Sequence, residues 1–590
     1  MREQIVITGS GIISAIGEDK LSTLRSLIDS KSGIGSIRHL DTPLSHLPVG
    51  EVKKSNDELK RQLCISKNTT ISRTSLLGIW AVKEALEEAD IDIETYKNKQ
   101  ANIALISGTT VGGIDLTEGY FRKIVEGENS MLHTIKQMDC GSSTKAIADY
   151  FGIFSQETTI STACSSALNS IILGYRMLLQ GQADIIVAGG AEALSKFHLS
   201  GFESLKILSE ETCRPFDLNR KGLNLGEGAS FIVMEREKDA KERAADIKAY
   251  ISGWGNSCDA FHQTASSSDG KGAILSMKQA IEMAGIEPAD IDYINAHGTG
   301  TDNNDQSEST AIKTVFGDTY PEVSSTKGFT GHATSAAGSI ELTISMLAMQ
   351  NRFIPKNLGW ATPMNNGLIP THTKKETTIH HFLCNSFGFG GNDSSIIISD
   401  RPTNYSERAT KERQIKVLSK VEILSAEQLA ELKNFVKPME TRRMCNILKS
   451  SLLASLKAID KAGIDNVNAI ITATNLGCWE NSEKILLSIS EAEATVSPTL
   501  FMQSTHNTIG SNIAIHLGCH GYNQTYAHGK ESLRWAIKDA EMLLHQGLAR
   551  TVLVGYHEES TLTLNSLRHR LGDKQEPEIV SMAMILGIED

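Results

Sequence analysis

Cys164 is the residue in this chain best suited to covalent chemistry. It lies in TTISTACSSALNSIILGYRMLLQGQADIIVAGG, which runs from Thr158 to Gly190. Residues 158–162 favour a strand, because Thr and Ile branch at Cβ. Leu168, Ile171, Ile172, Tyr175 and Leu179 recur at helical spacing, Gly181 closes the helix, and ADIIVAGG reads as a buried strand. The cysteine therefore falls at a strand-to-helix corner, where a helix N-terminus favours a thiolate. A sulfur of this kind can attack a carbonyl and later depart, the two properties that group transfer needs. For the other eight cysteines the expectation is a small buried hydrophobe. Two histidines, His297 and His332, stand in the polar, glycine-containing loops NAHGTGTDNND and KGFTGHATSAAG, and NSFGFGGND is a third loop of the same kind. Sites in open α/β folds gather beyond the carboxyl ends of strands. Taken singly, each histidine is as readily a structural residue, and no acidic ligand motif beside them points to metal.

The elements that must position these groups alternate along the chain. Strand-like stretches at 4–8, 101–113, 227–237, 291–305 and 378–400 interleave with helical ones at 72–90, 272–285 and 336–351, which predicts a layered α/β architecture. An apolar content of 40% is enough for a sizeable core. The net charge of −12, without a dominant basic block, argues against nucleic acid as partner. The nine cysteines show no CxxC or Cys/His zinc spacing and fit a reducing compartment, so a cytoplasmic protein is expected. MREQIVITGSGIISAIG has no apolar core before a cleavage site, and no stretch is continuously apolar enough to predict a membrane span. GSGIISAIG falls short of a full GxGxxG, and no acidic residue on a following strand supports a dinucleotide site. Residues 401–436 turn polar and charged and read as a linker or crossover to a new unit.

That new unit is a repeat. At an offset of 366, AIADYFGIFSQETTISTAC lies over NIAIHLGCHGYNQTYAHGK, with Gly152 meeting Gly518, Gly181 meeting Gly547 and Gly189 meeting Gly555. Upstream, IALISGTTVGG resembles NAIITATNLGC at an offset of 365. The C-terminal residues thus repeat the first half of the main domain and carry no copy of its second half. Lys530 stands opposite Cys164, with His528 two places before it, and the nearest cysteine, Cys519, falls opposite Ile153. Lys530 is expected to open a helix in solvent.

TACSS, AHGTGT, KGFTGH followed by AAG, and NSFGFGGN, in that order over residues 1–400, resemble the β-ketoacyl-[acyl-carrier-protein] synthase family, in its KAS II-like form with a Cys–His–His site. The resemblance implies a thiolase-like fold of five layers, α/β/α/β/α, built from halves at about 1–245 and 246–400, with an additional half-thiolase-like α/β unit at 437–590. It implies that an acyl chain passes from the phosphopantetheine arm of an acyl-carrier protein to Cys164 and is extended by a decarboxylated malonyl-carrier. The residue chemistry agrees: a developing enolate needs hydrogen-bond donors, and two neutral imidazoles, His297 and His332, can each supply one. By resemblance Lys327, Glu308 and Glu341 support the site, Thr299 and Thr301 meet the pantetheine arm, and the backbone N–H groups of Cys164 and Phe389 form the oxyanion hole. Phe389, flanked by Gly388, Gly390 and Gly391, would also gate the acyl tunnel. No tightly bound cofactor and no metal are implied. Two departures from the family pattern, GGND and NRKGLNLGEG, touch no catalytic group.

Residues 437–590 resemble the short synthase-like proteins of aryl-polyene and flexirubin-type pigment pathways, which lack the nucleophile. The leading expectation is therefore condensation in polyene or polyketide-like biosynthesis. Primary fatty-acid elongation and a non-catalytic chain-length partner are the alternatives. Acyl-carrier protein is the expected partner, with Lys60, Arg61, Lys67 and Arg73 as candidates for its docking patch. A homodimer is expected, or a heterodimer with a chain-length partner.

Overall fold

The computed structural model describes residues 3–99, 101–403, 413–490 and 495–589. Fifteen strands form one sheet: β1 Ile5–Ser14, β2 Ile103–Gly108, β3 Gln156–Ile160, β4 Ile185–Glu192, β5 Gly228–Arg236, β6 Ala249–Cys258, β7 Tyr293–Asn295, β8 Glu322–Ser324, β9 His381–Gly388, β10 Asn392–Ser399, β11 Ile415–Ile423, β12 Ala469–Ala473, β13 Asn523–Tyr526, β14 Thr551–Glu559 and β15 Ile579–Ile588. Their order is β11-β15-β14-β12-β13-β3-β2-β4-β5-β1-β6-β10-β9-β7-β8. One five-strand pattern occurs three times in that order. In the first unit, β3-β2-β4 are parallel while β5 and β1 run antiparallel to their neighbours. In the second unit, β8-β7-β9 and β10-β6 repeat the arrangement. In the third, β13-β12-β14 and β15-β11 repeat it again.

Central strands are buried on both faces and so read as apolar runs, β4 (IIVAGGAE) among them. The helices that matter for the site are α1 Arg73–Glu88, α2 Cys140–Phe151, α3 Ser166–Leu179, α4 Lys196–Ser204, α5 Lys271–Ala284, α6 Asp302–Phe316, α7 Ala337–Gln350, α8 Asn446–Ala462, α9 Trp479–Ile489, α10 Thr508–Leu517 and α11 Ser532–His545. Helix α1 covers β1, β4 and β5 on one face of the sheet, while α3 and α7 meet each other on the opposite side. Helix α3 is buried over nearly its whole length, so its sequence is mostly apolar and its polar residues, Asn169 and Arg176 among them, are hydrogen-bonded in the interior.

The repeat read from the sequence is a repeat in space. Helices α2 and α10 end on Gly152 and Gly518, both in the left-handed conformation, and α3 and α11 share the 366-residue offset at both ends. The two copies also pair with each other. Strands β3 and β13 meet antiparallel at Ile160 and Tyr526, residues that the offset makes equivalent. Ser161 N donates to Thr525 O at 2.9 Å and Ala527 N donates to Thr159 O at 3.1 Å, again an equivalent pair. Residue i meeting j while j meets i is the signature of a two-fold axis. The chain thus builds a pseudo-symmetric dimer out of itself, and a homodimer has to use a surface other than this strand edge.

The stretch read as a crossover contributes β11, the outer strand of the third unit. The polar residues of β11 belong to its exposed edge, where Lys416, Lys420, Glu422 and a bulge between Val417 and Ser419 discourage pairing with another chain. No helix among the described residues is long and apolar enough to cross a membrane.

Candidate active site

Cys164 sits in the single helical turn between β3 and α3, as the spacing predicts. Ala163 before it takes a left-handed φ of 53°, and Thr334 takes φ 44° at the matching corner before α7, beside His332. Both corners therefore carry strained backbone next to a functional side chain. The histidines come from loops at the ends of β7 and β8, and the second of them closes on the cysteine. His332 Nε2 lies 3.1 Å from Cys164 Sγ. The rings of His297 and His332 are 5.3 Å apart, edge to face. Sequence reasoning and structure agree in bringing these three groups together.

The supporting groups are all buried. Lys327 Nζ donates to Glu341 Oε1 and to His297 O, both at 2.5 Å, and lies 3.3 Å from His297 Nδ1. An ammonium can only donate, so Nδ1 accepts and the ring proton sits on Nε2. Glu308 receives the His297 and Gly298 N–H groups at 2.8 and 2.7 Å and so shapes the loop. Burial pushes the Glu308 and Glu341 carboxyls up to about 7, opposed at Glu308 chiefly by those backbone N–H groups and at Glu341 by Lys327. Both imidazoles are held well below the ordinary histidine value by burial and by the Lys327 charge. They are neutral at physiological pH.

The thiolate expected from the helix N-terminus is not the resting form. Burial pushes the Cys164 thiol up to about 11, and Lys327 and the Phe389 N–H offset it only in part. Desolvation outweighs the end of a short helical turn here. Alkylation of Cys164 by iodoacetamide is accordingly expected to rise about tenfold per pH unit from about pH 7 to pH 10. A plateau near neutrality, read by peptide mass spectrometry, would show an ionised sulfur instead.

Cys164, His297 and His332 also present their ligand atoms within 4.8 Å of one another. A metal ion would accept that spacing, but the Lys327 charge against the His297 ring disfavours a cation there.

Cys164, Phe202 and Phe389 are shared by two cavities. One opens to solvent past His297, His332, Thr299 and Thr301. The hydroxyls of Thr299 and Thr301 are 2.9 Å apart on its wall. The other leads away from the sulfur into the pseudo-dimer interface. Gly388 and Phe389 border the first cavity and Phe389 the second, while Gly390 and Gly391, with φ of 84° and 75°, complete the turn. The inner cavity is walled by Phe197, Phe202 and Phe389 from the first 400 residues and by Trp479, Phe501 and Ser482 from the C-terminal unit. These last three were invisible to motif reading. Only the idea that equivalent segments face each other across a dyad would have found them.

Of the candidate docking residues, Arg73 drops out. It is buried, and its guanidinium binds Glu227 through Nε and Nη2. Lys60 is tied to Thr69 O and Lys67 O, Lys67 pairs with Asp57, and Arg61 is exposed. Lys530 is exposed at the start of α11, as expected.

A buried sulfur, two neutral imidazoles and the Lys327 side chain thus meet where two cavities adjoin. Residues 2–240 match the family described as "Beta-ketoacyl synthase, N-terminal domain", residues 248–361 its "C-terminal domain", and residues 418–586 a second N-terminal domain. The 3-oxoacyl-[acyl-carrier-protein] synthase 2 of Vibrio cholerae serotype O1 is 34% identical over 424 residues, covering 67% of this chain and 99% of the relative. The ishigamide ketosynthase/chain length factor structure is 29% identical, with a TM-score of 0.64, over 68% of this chain and all of that one. The PfaC keto synthase-chain length factor aligns with the whole of this chain and 78% of its own at TM-score 0.78 and 17% identity, a likeness of fold. The chain belongs to the β-ketoacyl synthase family and is a condensing enzyme with a second synthase-type N-terminal unit fused behind the first.

Proposed function

We propose that the chain joins an acyl thioester to malonyl-acyl-carrier protein by decarboxylative Claisen condensation, releasing a β-ketoacyl-carrier. Residues 1–400 act as the synthase, a five-layered thiolase-like body in two halves (about 1–245 and 246–400). Behind it stands a truncated unit, beginning at β11 and running through the residues expected at 437–590, that serves as its built-in partner. The observation that carries this reading is the position of Cys164, which lines both a cavity walled by His297, His332, Thr299 and Thr301 and a mainly apolar one walled by both units.

Cys164 sulfur attacks the acyl carbonyl, the bond to the pantetheine sulfur breaks, and the thiol proton passes to the departing arm. The backbone N–H groups of Cys164 and Phe389 face the sulfur and hold the oxygen as it gains charge. A malonyl-carrier then enters past Thr299 and Thr301. Its carboxylate leaves as carbon dioxide, and the electron pair moves onto the thioester enolate, whose oxygen takes hydrogen bonds from His297 and His332. The Nε2 proton fixed on His297 by Lys327 is one of these donors. The carbanion attacks the acyl group on Cys164, and the sulfur leaves and recovers a proton.

The inner cavity supports a flat, conjugated chain. Phe197, Phe202, Phe389, Phe501 and Trp479 line it, and aromatic faces suit extended planar ligands. Polyene or polyketide-like elongation is therefore the favoured pathway. Identity to the Vibrio synthase keeps primary fatty-acid elongation as the alternative. A reducing, cytoplasmic setting suits the free thiol.

Ser482 borders the cavity from α9. Ser482→Phe is expected to fill part of the cavity and shorten the longest product by about two to four carbons, with Cys164 still acylated. Mass spectrometry of acyl-Cys164 and of released chains, over a panel of carrier-bound starters, tests both the pathway and the ruler. An unchanged length distribution would take the C-terminal unit out of length control.

A further inference from the structure

The C-terminal unit reaches the catalytic loop itself. Asn507, fully buried just before α10, donates through Nδ2 to Phe389 O and to Asn392 Oδ1, each at 2.7 Å. Asn392 is held in turn by Asn523, whose backbone and side-chain oxygens accept its amide at 3.1 and 3.3 Å. A Cβ on Gly390 would stand 2.2 Å from Ser511 Oγ and 2.9 Å from Asn507 Nδ2, so the loop and the unit touch with no space between them. The Phe389 ring is gripped as well. It stacks on Phe202 at 5.6 Å, and Phe202 is packed at 5.2 Å by Phe501 of the same unit. That ring enters only because residue 201 is glycine, where a Cβ would lie 2.2 Å from it.

We propose that Asn507 is a positioning residue for acyl transfer. Phe389 sits between glycines, whose backbones turn freely. Its carbonyl is fixed by Asn507, while its N–H, on the other side of the same Cα, faces Cys164 Sγ. Holding the 389–390 peptide, whose carbonyl accepts from Asn507 and whose Gly390 N–H donates to Gln263 O at 2.8 Å, narrows the range open to the neighbouring Phe389 N–H that stabilises the oxyanion on the acyl thioester. The unit without a nucleophile thus completes the catalytic geometry of the unit that has one.

This inference rests on the condensing reaction at Cys164, and one experiment separates the two. Acylation of Cys164 from an acyl-carrier and decarboxylation of malonyl-carrier are followed on the full chain. Asn507→Leu keeps the bulk and removes the donor. Acylation is expected to slow about tenfold or more, short of the loss on deleting an oxyanion donor outright. KM for the acyl-carrier and the decarboxylation rate, which depends on His297 and His332, should hold. Asn507→Ser, smaller and still a donor, is expected to lose less and serves if leucine is not accommodated. Equal loss of both activities, or no loss of acylation, overturns the proposal. A wild-type chain that takes no acyl group at Cys164 overturns the functional reading, a result visible before any variant is made.

Discussion

Cys164→Ala is expected to abolish acyl transfer and condensation, a loss on the order of 10⁴-fold or more, as when other covalent catalysts lose their nucleophile. The prediction is strong because Cys164 is the one cysteine that lines either of the two cavities. Cys213, Cys258 and Cys384, the other buried cysteines of the β6–β10 region and its approaches, are held as thiols by burial. They hydrogen-bond to backbone carbonyls instead of facing the channel. Decarboxylation of a malonyl thioester should survive in the variant, since Lys327, His297 and His332 are untouched. This split distinguishes loss of the sulfur from collapse of the site. Condensation persisting in Cys164→Ala, measured with a carrier-bound starter and extender, would remove Cys164 from the mechanism.

The loops carrying Cys164, His297 and His332 were legible in the sequence because each sits where a strand gives way to a helix or polar turn, and local patterning marks such corners. Less local features were not. The charge state of Cys164 depends on burial from several distant elements. Arg73 looks like a surface cation in sequence, yet it is buried against Glu227, 154 positions away. One long-range feature was readable in principle. At the 366-residue offset, Leu168, Ile172, Tyr175 and Leu179 of α3 become Arg534, Lys538, Glu541 and His545 of α11. In the first copy Leu168, Ile172 and Tyr175 of that stripe are buried, Leu168 against Gly338 of α7. The third unit has no counterpart of α7, and its stripe is polar, with Arg534 and Glu541 exposed. The polar stripe fits a helix face turned to solvent where the first copy turns the same positions into the core.

The face of α11 turned toward α3 obeys the opposite rule and carries the second large effect. Arg176, on the helix that begins just beyond Cys164, is fully buried in the interface. Its guanidinium pairs with Asp539, donates to Gln546 Oε1 at 2.9 Å and Tyr522 Oη at 3.2 Å, and lies 5.2 Å from the Tyr522 ring. Tyr522 Oη also donates to Asp539 Oδ2 at 2.9 Å. Asp539→Ala leaves a buried cation whose only remaining partners are neutral, and is expected to cost about 3–5 kcal/mol at the first unfolding transition. The double variant Arg176→Met/Asp539→Leu removes both charges and fills the same space, so it should return most of that loss. Because α3 carries Cys164 at its start, Asp539→Ala should also slow acylation of Cys164, and the double variant should restore it. Denaturant titration followed by acylation rates checks both. A loss below about 1 kcal/mol for Asp539→Ala, in the range of exposed ion pairs, would mean that the two units are held together by apolar packing and strand pairing, with the charge pair incidental.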